Sequence, residues 1–309
     1  MSDTMQGPGG PDELAIPWID VTMQQEVAWR DGDIVISVPV KSGTTWTMNI
    51  VHQLRSGGDA DFADVYAEVR WLEFVPNPDA RRDDLLAAFE QMPRDARRAF
   101  KSHSAPPDLP YLAPGSGPDV RYVVVMRNPD EAVASMRPFI AGHSEAWFDL
   151  WQIPKDDIVG PDLATFVEML AGPLTNALFG FVESWWDLRH NGNVLFVHFN
   201  ELKQEPDLAV RRIADFLDFE VSDDAWPAIL EYTSFAWMKA HEDKFEARTV
   251  SQPVQLLDPG AMIRKGQIGA TAEDGVTPGM SAMIRDLGSR IVSDPEALEW
   301  CYRGGPLAR

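Results

Sequence analysis

The sequence predicts an α/β fold, a doubly wound and mainly parallel sheet flanked by helices, in a single domain over 14–304. Two observations point there. Three short apolar runs, Asp33–Pro39 (DIVISVP), Val120–Met126 (VRYVVVM) and Asn193–Phe199 (NVLFVHF), are rich in β-branched and aromatic residues on both faces. That is the pattern of strands covered on both sides. Segments with apolar residues at helical spacing lie between them, and strands alternating with helices build βαβ units. At 309 residues the chain can bury roughly three quarters of its unfolded surface, so its core needs no disulfide or metal.

Taken in order, residues 1–13 are rich in Gly, Pro and Asp and read as a mobile lead-in. The first strand runs directly into a helix marked by Trp46, Ile50, Val51 and Leu54 and stopped by Gly57-Gly58. Arg98–Lys101 (RAFK) is a weaker fourth strand. Phe179–Arg189 and Pro206–Leu217 read as helices, the second opening with Pro in its first turn. The stretch 252–279 is rich in Gly, Pro and Thr without a period and reads as a long functional loop. No repeat of 20 to 50 residues and no linker stands out.

Composition removes several function classes. Asp and Glu number 48 against 27 Lys and Arg, a formal charge of −21, which argues against nucleic acid or an anionic membrane surface as partner. The single cysteine, Cys301, cannot form an internal disulfide, and a cytoplasmic setting is the simpler reading. No apolar run reaches the roughly 20 residues of a spanning helix, and the N-terminus lacks the blocks of a signal peptide. The six histidines, at 52, 103, 143, 190, 198 and 241, show no metal-ligand spacing. Acidic pairs such as Asp83-Asp84, Asp156-Asp157 and Asp223-Asp224 read as a solvated face. Only seven basic residues are lysine, at 41, 101, 155, 203, 239, 244 and 265, and a lysine is the compact charge suited to a phosphate or a leaving oxygen.

The most specific local signal is Val38-Pro39-Val40-Lys41-Ser42-Gly43-Thr44-Thr45-Trp46. A buried strand enters a small-residue turn carrying Lys, and a helix begins at once. Such a turn aims backbone N–H groups and a positive helix end at one spot. Lys41 adds a charge, and Ser42, Thr44 and Thr45 add hydroxyl donors, making a P-loop-like oxyanion cradle. It is not GxxxxGK[ST], because Lys41 precedes Gly43. The bland alternative is a capped turn with Lys41 in solvent.

KSGTTW after a buried strand resembles the 5′-phosphosulfate loop of the cytosolic-type sulfotransferases, which use 3′-phosphoadenosine 5′-phosphosulfate (PAPS). Further motifs follow in the family's order. Lys101-Ser102-His103 fits its Lys-x-His. Arg127-Asn128-Pro129 with Ser135 eight residues after the Arg fits its 3′-phosphate site. Trp185-Trp186 and the strand ending at Phe199 resemble its double tryptophan and following strand, with Phe199 where the family has Tyr. Thr233-Ser234-Phe235-x-x-Met238 resembles its adenine-contacting segment, and Ile263-Arg264-Lys265-Gly266-x-x-Gly269 its RKGxxG loop. The resemblance spans roughly 30–270. It departs at Ala270-Thr271-Ala272-Glu273, where the family continues Asp-Trp-Lys, and over 60–95 and 138–165.

The resemblance implies sulfuryl transfer from PAPS to a hydroxyl, with an amine in second place, and release of adenosine 3′,5′-bisphosphate without a metal. His103 would be the base, with Lys41 and Lys101 as catalytic cations. Lys41, Ser42, Gly43, Thr44, Thr45, Trp46, Arg127, Ser135, Phe199, Thr233, Phe235, Met238, Ile263, Arg264, Lys265 and Gly266 would hold the nucleotide. Trp147, Phe148, Trp151, Phe139, Trp71 and Phe74 are candidates to line a pocket for a small or lipid-tailed acceptor. The double tryptophan reads as core. A nucleotide kinase on a related fold, or a non-catalytic nucleotide-binding protein, is the alternative. The kinase should carry GxxxxGK[ST] and a magnesium-binding Asp, while the non-catalytic protein has no use for Lys101 and His103.

Overall fold

The three apolar runs form neighbouring strands of one parallel sheet, the third of them at its edge. A computed structural model describes residues 16–94, 96–169, 172–173, 176–248, 250, 253–266, 268–269 and 271–307. The lead-in 1–13 lies outside the described residues. The strands are β1 (Ile34–Ser37), β2 (Arg70–Trp71), β3 (Ala99–Ser102), β4 (Arg121–Met126) and β5 (Val194–His198), in the order β2-β3-β1-β4-β5. Every pairing is parallel; Ile34 stands opposite Ala99 on one side and Arg121 on the other, and Met126 stands opposite His198.

The helices in chain order are α1 (Thr44–Ser56), α2 (Val65–Glu68), α3 (Arg82–Glu90), α4 (Pro129–Ala141), α5 (Glu145–Trp151), α6 (Lys155–Val159), α7 (Leu163–Met169) and α8 (Phe181–Trp186). They continue with α9 (Phe199–Gln204), α10 (Pro206–Phe216), α11 (Trp226–Tyr232), α12 (Phe235–Ala240), α13 (Pro278–Ile291) and α14 (Pro295–Arg303). None is long and apolar enough to cross a membrane among the described residues.

Because successive strand side chains point to opposite faces, the apolar runs feed two cores. Ile34, Ile36, Val123, Val125 and Val197 pack on one face with Ile50, Leu54 and Ile213. Val35, Phe100, Tyr122, Val124 and Phe196 pack on the other with Trp185, Trp186 and Trp300. The double tryptophan is therefore core; the Trp185 indole donates to Ser37 Oγ at 2.9 Å and that of Trp186 to Asp294 at 2.7 Å. Cys301 is fully buried, and burial pushes its thiol up to about 12, which leaves it inert.

The chain order places β3 on one side of β1 and β4 on the other, so the sheet has its switch point at β1, where a crevice opens beyond the carboxyl ends. Lys41, His103, Arg127 and Phe199 follow β1, β3, β4 and β5 respectively, so the fold gathers them at one edge. The strands are shorter than the apolar runs by one or two residues at their ends. Strand β2 left no sequence signal because two residues cannot show a period. The described part of 252–277 carries neither helix nor strand, and α13 starts at Pro278.

Candidate active site

The turn after β1 is built as an anion cradle. Lys41 (φ 63°) and Gly43 (φ 105°) both take the left-handed conformation on either side of Ser42, the alternation that turns successive N–H groups inward. Helix α1 then starts with no side-chain cap, leaving its first amides available. Thr44 Oγ1 lines the cavity and is buried without a hydrogen-bond partner among the described residues, and a phosphate oxygen would supply the acceptor it lacks. A Cβ on Gly43 would stand 2.9 Å from the Phe199 ring, so only glycine leaves the loop open. Lys41 lies 3.9 Å over the Phe139 ring, and its ammonium is lowered to about 7 by burial and then by Arg127 and Arg264. A polyanion beside it would restore its charge.

The groups suited to the nucleotide surround this turn. Arg127 donates to Glu131 at 2.9 Å and to the Lys41 carbonyl at 3.2 Å, with its guanidinium 4.4 Å over Phe199. Trp46 meets Phe199 edge-on at 5.5 Å and donates its indole N–H to the Thr233 carbonyl at 2.8 Å. Lys203 faces the rings of Trp46 and Phe235. Arg264 forks onto Asp274 at 3.0 and 3.3 Å, and Lys265 reaches the same carboxylate at 2.6 Å. A Cβ at Gly266 would run into the Phe235 ring. Glu131 takes a hydrogen bond from the Gly269 amide at 2.6 Å and so ties the loop to α4.

The catalytic corner is set by strand register. Trp71 of β2 pairs with Lys101 of β3, and the turn after β2 carries Glu73 to the backbone N–H of His103, which it accepts at 2.6 Å. His103 Nδ1 donates to the Val38 carbonyl at 2.7 Å, which leaves Nε2 as an acceptor 2.8 Å from Lys101 Nζ. Burial and then the Lys101 charge push the imidazole well below its ordinary value, so it is neutral and able to take a proton. Lys101 is lowered by burial and lies 3.0 Å over the Trp71 ring. Its ammonium donates into the lone pair a base would use.

One cavity of about 1800 Å³ joins cradle and corner to an aromatic chamber lined by Trp18, Trp71, Phe74, Phe139, Trp147 and Trp151. No cluster of His, Cys, Asp and Glu able to hold a metal occurs among the described residues.

The profile of the family described as "Sulfotransferase domain" matches residues 31–289. The chain belongs to this family. The protein is accordingly a PAPS-dependent sulfotransferase. It is similar to sulfotransferase 1A1 of Rattus norvegicus, 28% identical over 264 residues and 80% of each chain, and to sulfotransferase 1E1 of Mus musculus, 25% identical over 257 residues, 82% of this chain and 80% of the relative. Its fold superposes on mouse sulfotransferase SULT7A1 complexed with adenosine 3′,5′-bisphosphate (PAP) with a TM-score of 0.65 at 20% identity, covering 91% of this chain and 90% of that one. For retinol dehydratase in complex with retinol and PAP the TM-score is 0.66 at 20% identity, covering 87% and 83%.

In the sulfotransferase structure, Lys41, Gly43, Thr44, Thr45, Trp46, Lys101, His103, Arg127, Ser135, Phe199, Phe235, Met238, Ile263, Arg264, Lys265 and Gly266 all face the one cavity. Two expected residues stand behind it. Ser42 forms the buried floor of the turn, and Thr233 spends its hydroxyl on the Ile229 carbonyl at 2.7 Å while its own carbonyl anchors Trp46. Phe148 packs into the core and leaves the chamber to its neighbours. Sequence reasoning missed Trp18, Glu73 and Asp274. Glu73 alone left a signal, a carboxylate inside the apolar run Trp71-Leu72-Glu73-Phe74.

Proposed function

We propose that this sulfotransferase transfers the sulfuryl group to the hydroxyl of a small aromatic or lipid-tailed acceptor, in a cytoplasmic setting, with His103 as base and Lys41 and Lys101 as the cations of the transfer step. The observation that carries the reading is the Lys101–His103 pair standing where the cationic cradle meets the aromatic chamber. PAPS supplies the sulfuryl group and leaves as PAP. His103 Nε2 takes the hydroxyl proton as the acceptor oxygen forms its bond to sulfur and the bond to the phosphate oxygen breaks. Lys101 turns from His103 to the sulfuryl oxygens, and Lys41 balances the charge that grows on the leaving phosphate. Arg127, Ser135 and Arg264 hold the far phosphate, with Trp46, Phe199 and Phe235 around the base.

The chamber selects the acceptor by its walls. Six aromatic rings around a large volume reward an extended apolar body, and the related retinol dehydratase was solved with retinol bound. A kinase reading has no support from the turn, which lacks the glycine spacing of a nucleoside triphosphate loop.

Thermal unfolding with PAP and, separately, with ATP and magnesium tests the donor side. At 100 times its dissociation constant PAP should raise the midpoint by roughly 5 °C; a response to ATP with magnesium alone would sink the reading. Labelled PAPS with a panel of phenols, sterols, long-chain alcohols and amines tests the acceptor side. Alcohols and phenols should be labelled, and transfer confined to amines or to small polar alcohols would refute the proposed class.

A further inference from the structure

We propose that Glu73 is a positioning residue of the transfer step, holding the main chain of the base with one oxygen and setting a carboxyl beside the Lys101–His103 pair. The proposal rests on the reading of His103 as base and Lys101 as sulfuryl-holding cation.

One strand pair and the turn after it place these groups. Trp71 opposes Lys101 at the end of β2, and the turn that follows brings Glu73 to His103, just past β3. Glu73 Oε1 accepts the His103 backbone N–H at 2.6 Å. Its carbonyl also takes the Asp20 amide at 2.8 Å, so this segment is pinned at the side chain and the main chain. The residue is 1% exposed, and Oε2 has no hydrogen-bond partner among the described residues. A carboxylate is costly to bury with one oxygen unpaired, and a glutamine would meet the backbone amide equally well. The charge itself therefore needs a use.

The use is visible in the neighbours. Lys101 is also 1% exposed, and its ammonium hydrogen-bonds the neutral imidazole of His103. Around this pair stand Glu73 and Trp71 from the β2 segment, Tyr66 from α2 and Lys41 from the turn after β1. Glu73 is the anion among them. Burial lowers Lys101 well below its ordinary value and raises Glu73; against it the carboxylate raises the lysine, and the lysine, the His103 amide and the Trp71 side chain lower the carboxyl. When His103 takes the acceptor proton and Lys101 turns to the sulfuryl oxygens, an imidazolium is added to the corner, and Glu73 offsets its charge.

The experiment is the pH dependence of kcat for wild type and Glu73→Gln, with PAP affinity and thermal unfolding measured alongside and His103→Ala as control. Removing the charge lowers Lys101 further, so it loses its proton at lower pH and the basic limb of the profile moves toward acid. The expected result is that displacement, a fall in kcat of about 10- to 100-fold at neutral pH, and PAP affinity within about twofold of wild type. Glu73→Asp, which keeps the charge, should return the limb to its wild-type position. An unmoved basic limb in Glu73→Gln overturns the proposal, whether or not kcat falls. If Glu73→Gln does not fold, Glu73→Asp decides: a wild-type limb together with a lowered kcat, from the shorter reach to the His103 amide, supports the proposal, and a displaced limb or an unchanged kcat overturns it. Retained transfer in His103→Ala would instead remove the reading of the base beneath it.

Discussion

The two halves of the cavity are made by different means. The donor half is made of backbone: a left-handed Lys41-Ser42-Gly43 turn, the first amides of α1 and a glycine at 266, with charges added from β4 and the loop before α13. The acceptor half is made of packed rings from four distant segments, with Trp18 edge-on to Trp147 at 4.3 Å and Trp71 stacked on Phe74 at 4.5 Å. A phosphate dictates its receptor atom by atom, whereas an apolar acceptor asks only for shape and area. One half can therefore keep a motif, while the other can change its walls residue by residue.

The largest expected effect lies at the junction. His103→Ala should retain PAP affinity within about twofold while kcat falls by about 10²- to 10⁴-fold, the usual contribution of a positioned base. Equilibrium binding and single-turnover transfer check the two halves separately. Because burial and Lys101 hold the imidazole well below its ordinary value, the base stays unprotonated as pH falls. The acid limb of kcat/KM for the wild type should accordingly lie below the ordinary histidine range. A limb at or above that range would contradict the geometry, as would a parallel loss of PAP binding in the variant.

A middle-sized effect belongs to the acceptor half. Trp151 closes the chamber from the end of α5, 6.0 Å from the Trp18 ring. Trp151→Ala should raise KM for a preferred apolar acceptor about tenfold, the loss of part of one aromatic contact, and leave PAP affinity alone. Steady-state kinetics with saturating PAPS reads this directly. If KM for PAPS rises as much as that for the acceptor, the two halves are not separable.

The same contrast explains what the chain disclosed before folding. Lys41, Gly43–Trp46, Arg127, Ser135 and Arg264–Gly266, which the fold brings to one cavity, are legible because a turn that gathers N–H groups and charges constrains contiguous backbone. Strands β1, β4 and β5 are legible because parallel strands covered on both faces are apolar throughout. Trp18 is not, and Phe148 is a wrong candidate beside Trp147, since an aromatic at a cavity wall and one in the core read alike. Thr233 shows the reverse error: its hydroxyl satisfies a helix carbonyl, and its part in the site passes through Trp46. Asp274 lies ten residues from Arg264 in a segment without periodicity, so only the folded loop shows that the two meet.

Asp274 also carries the smallest prediction and the most direct test of the donor half. Its carboxylate takes the Arg264 fork and the Lys265 ammonium, the geometry in which these cations would grip a phosphate. Against a burial that pushes it up, the hydrogen bonds from Arg264 and Lys265 hold its carboxyl below the ordinary range, so it is ionised at any pH near neutrality. An incoming phosphate must displace this pairing. Asp274→Asn removes the competing charge at constant size and should tighten PAP binding about three- to fivefold. The gain is modest because the pairs are partly solvated, with Arg264 and Lys265 about a third exposed. Since the carboxyl is ionised throughout, titration calorimetry should find the same gain at pH 6.5 and pH 8. Weaker binding in the variant would mean that Asp274 aims Arg264 at the nucleotide instead of competing with it, and would turn the donor half from a self-occupied site into a pre-aligned one.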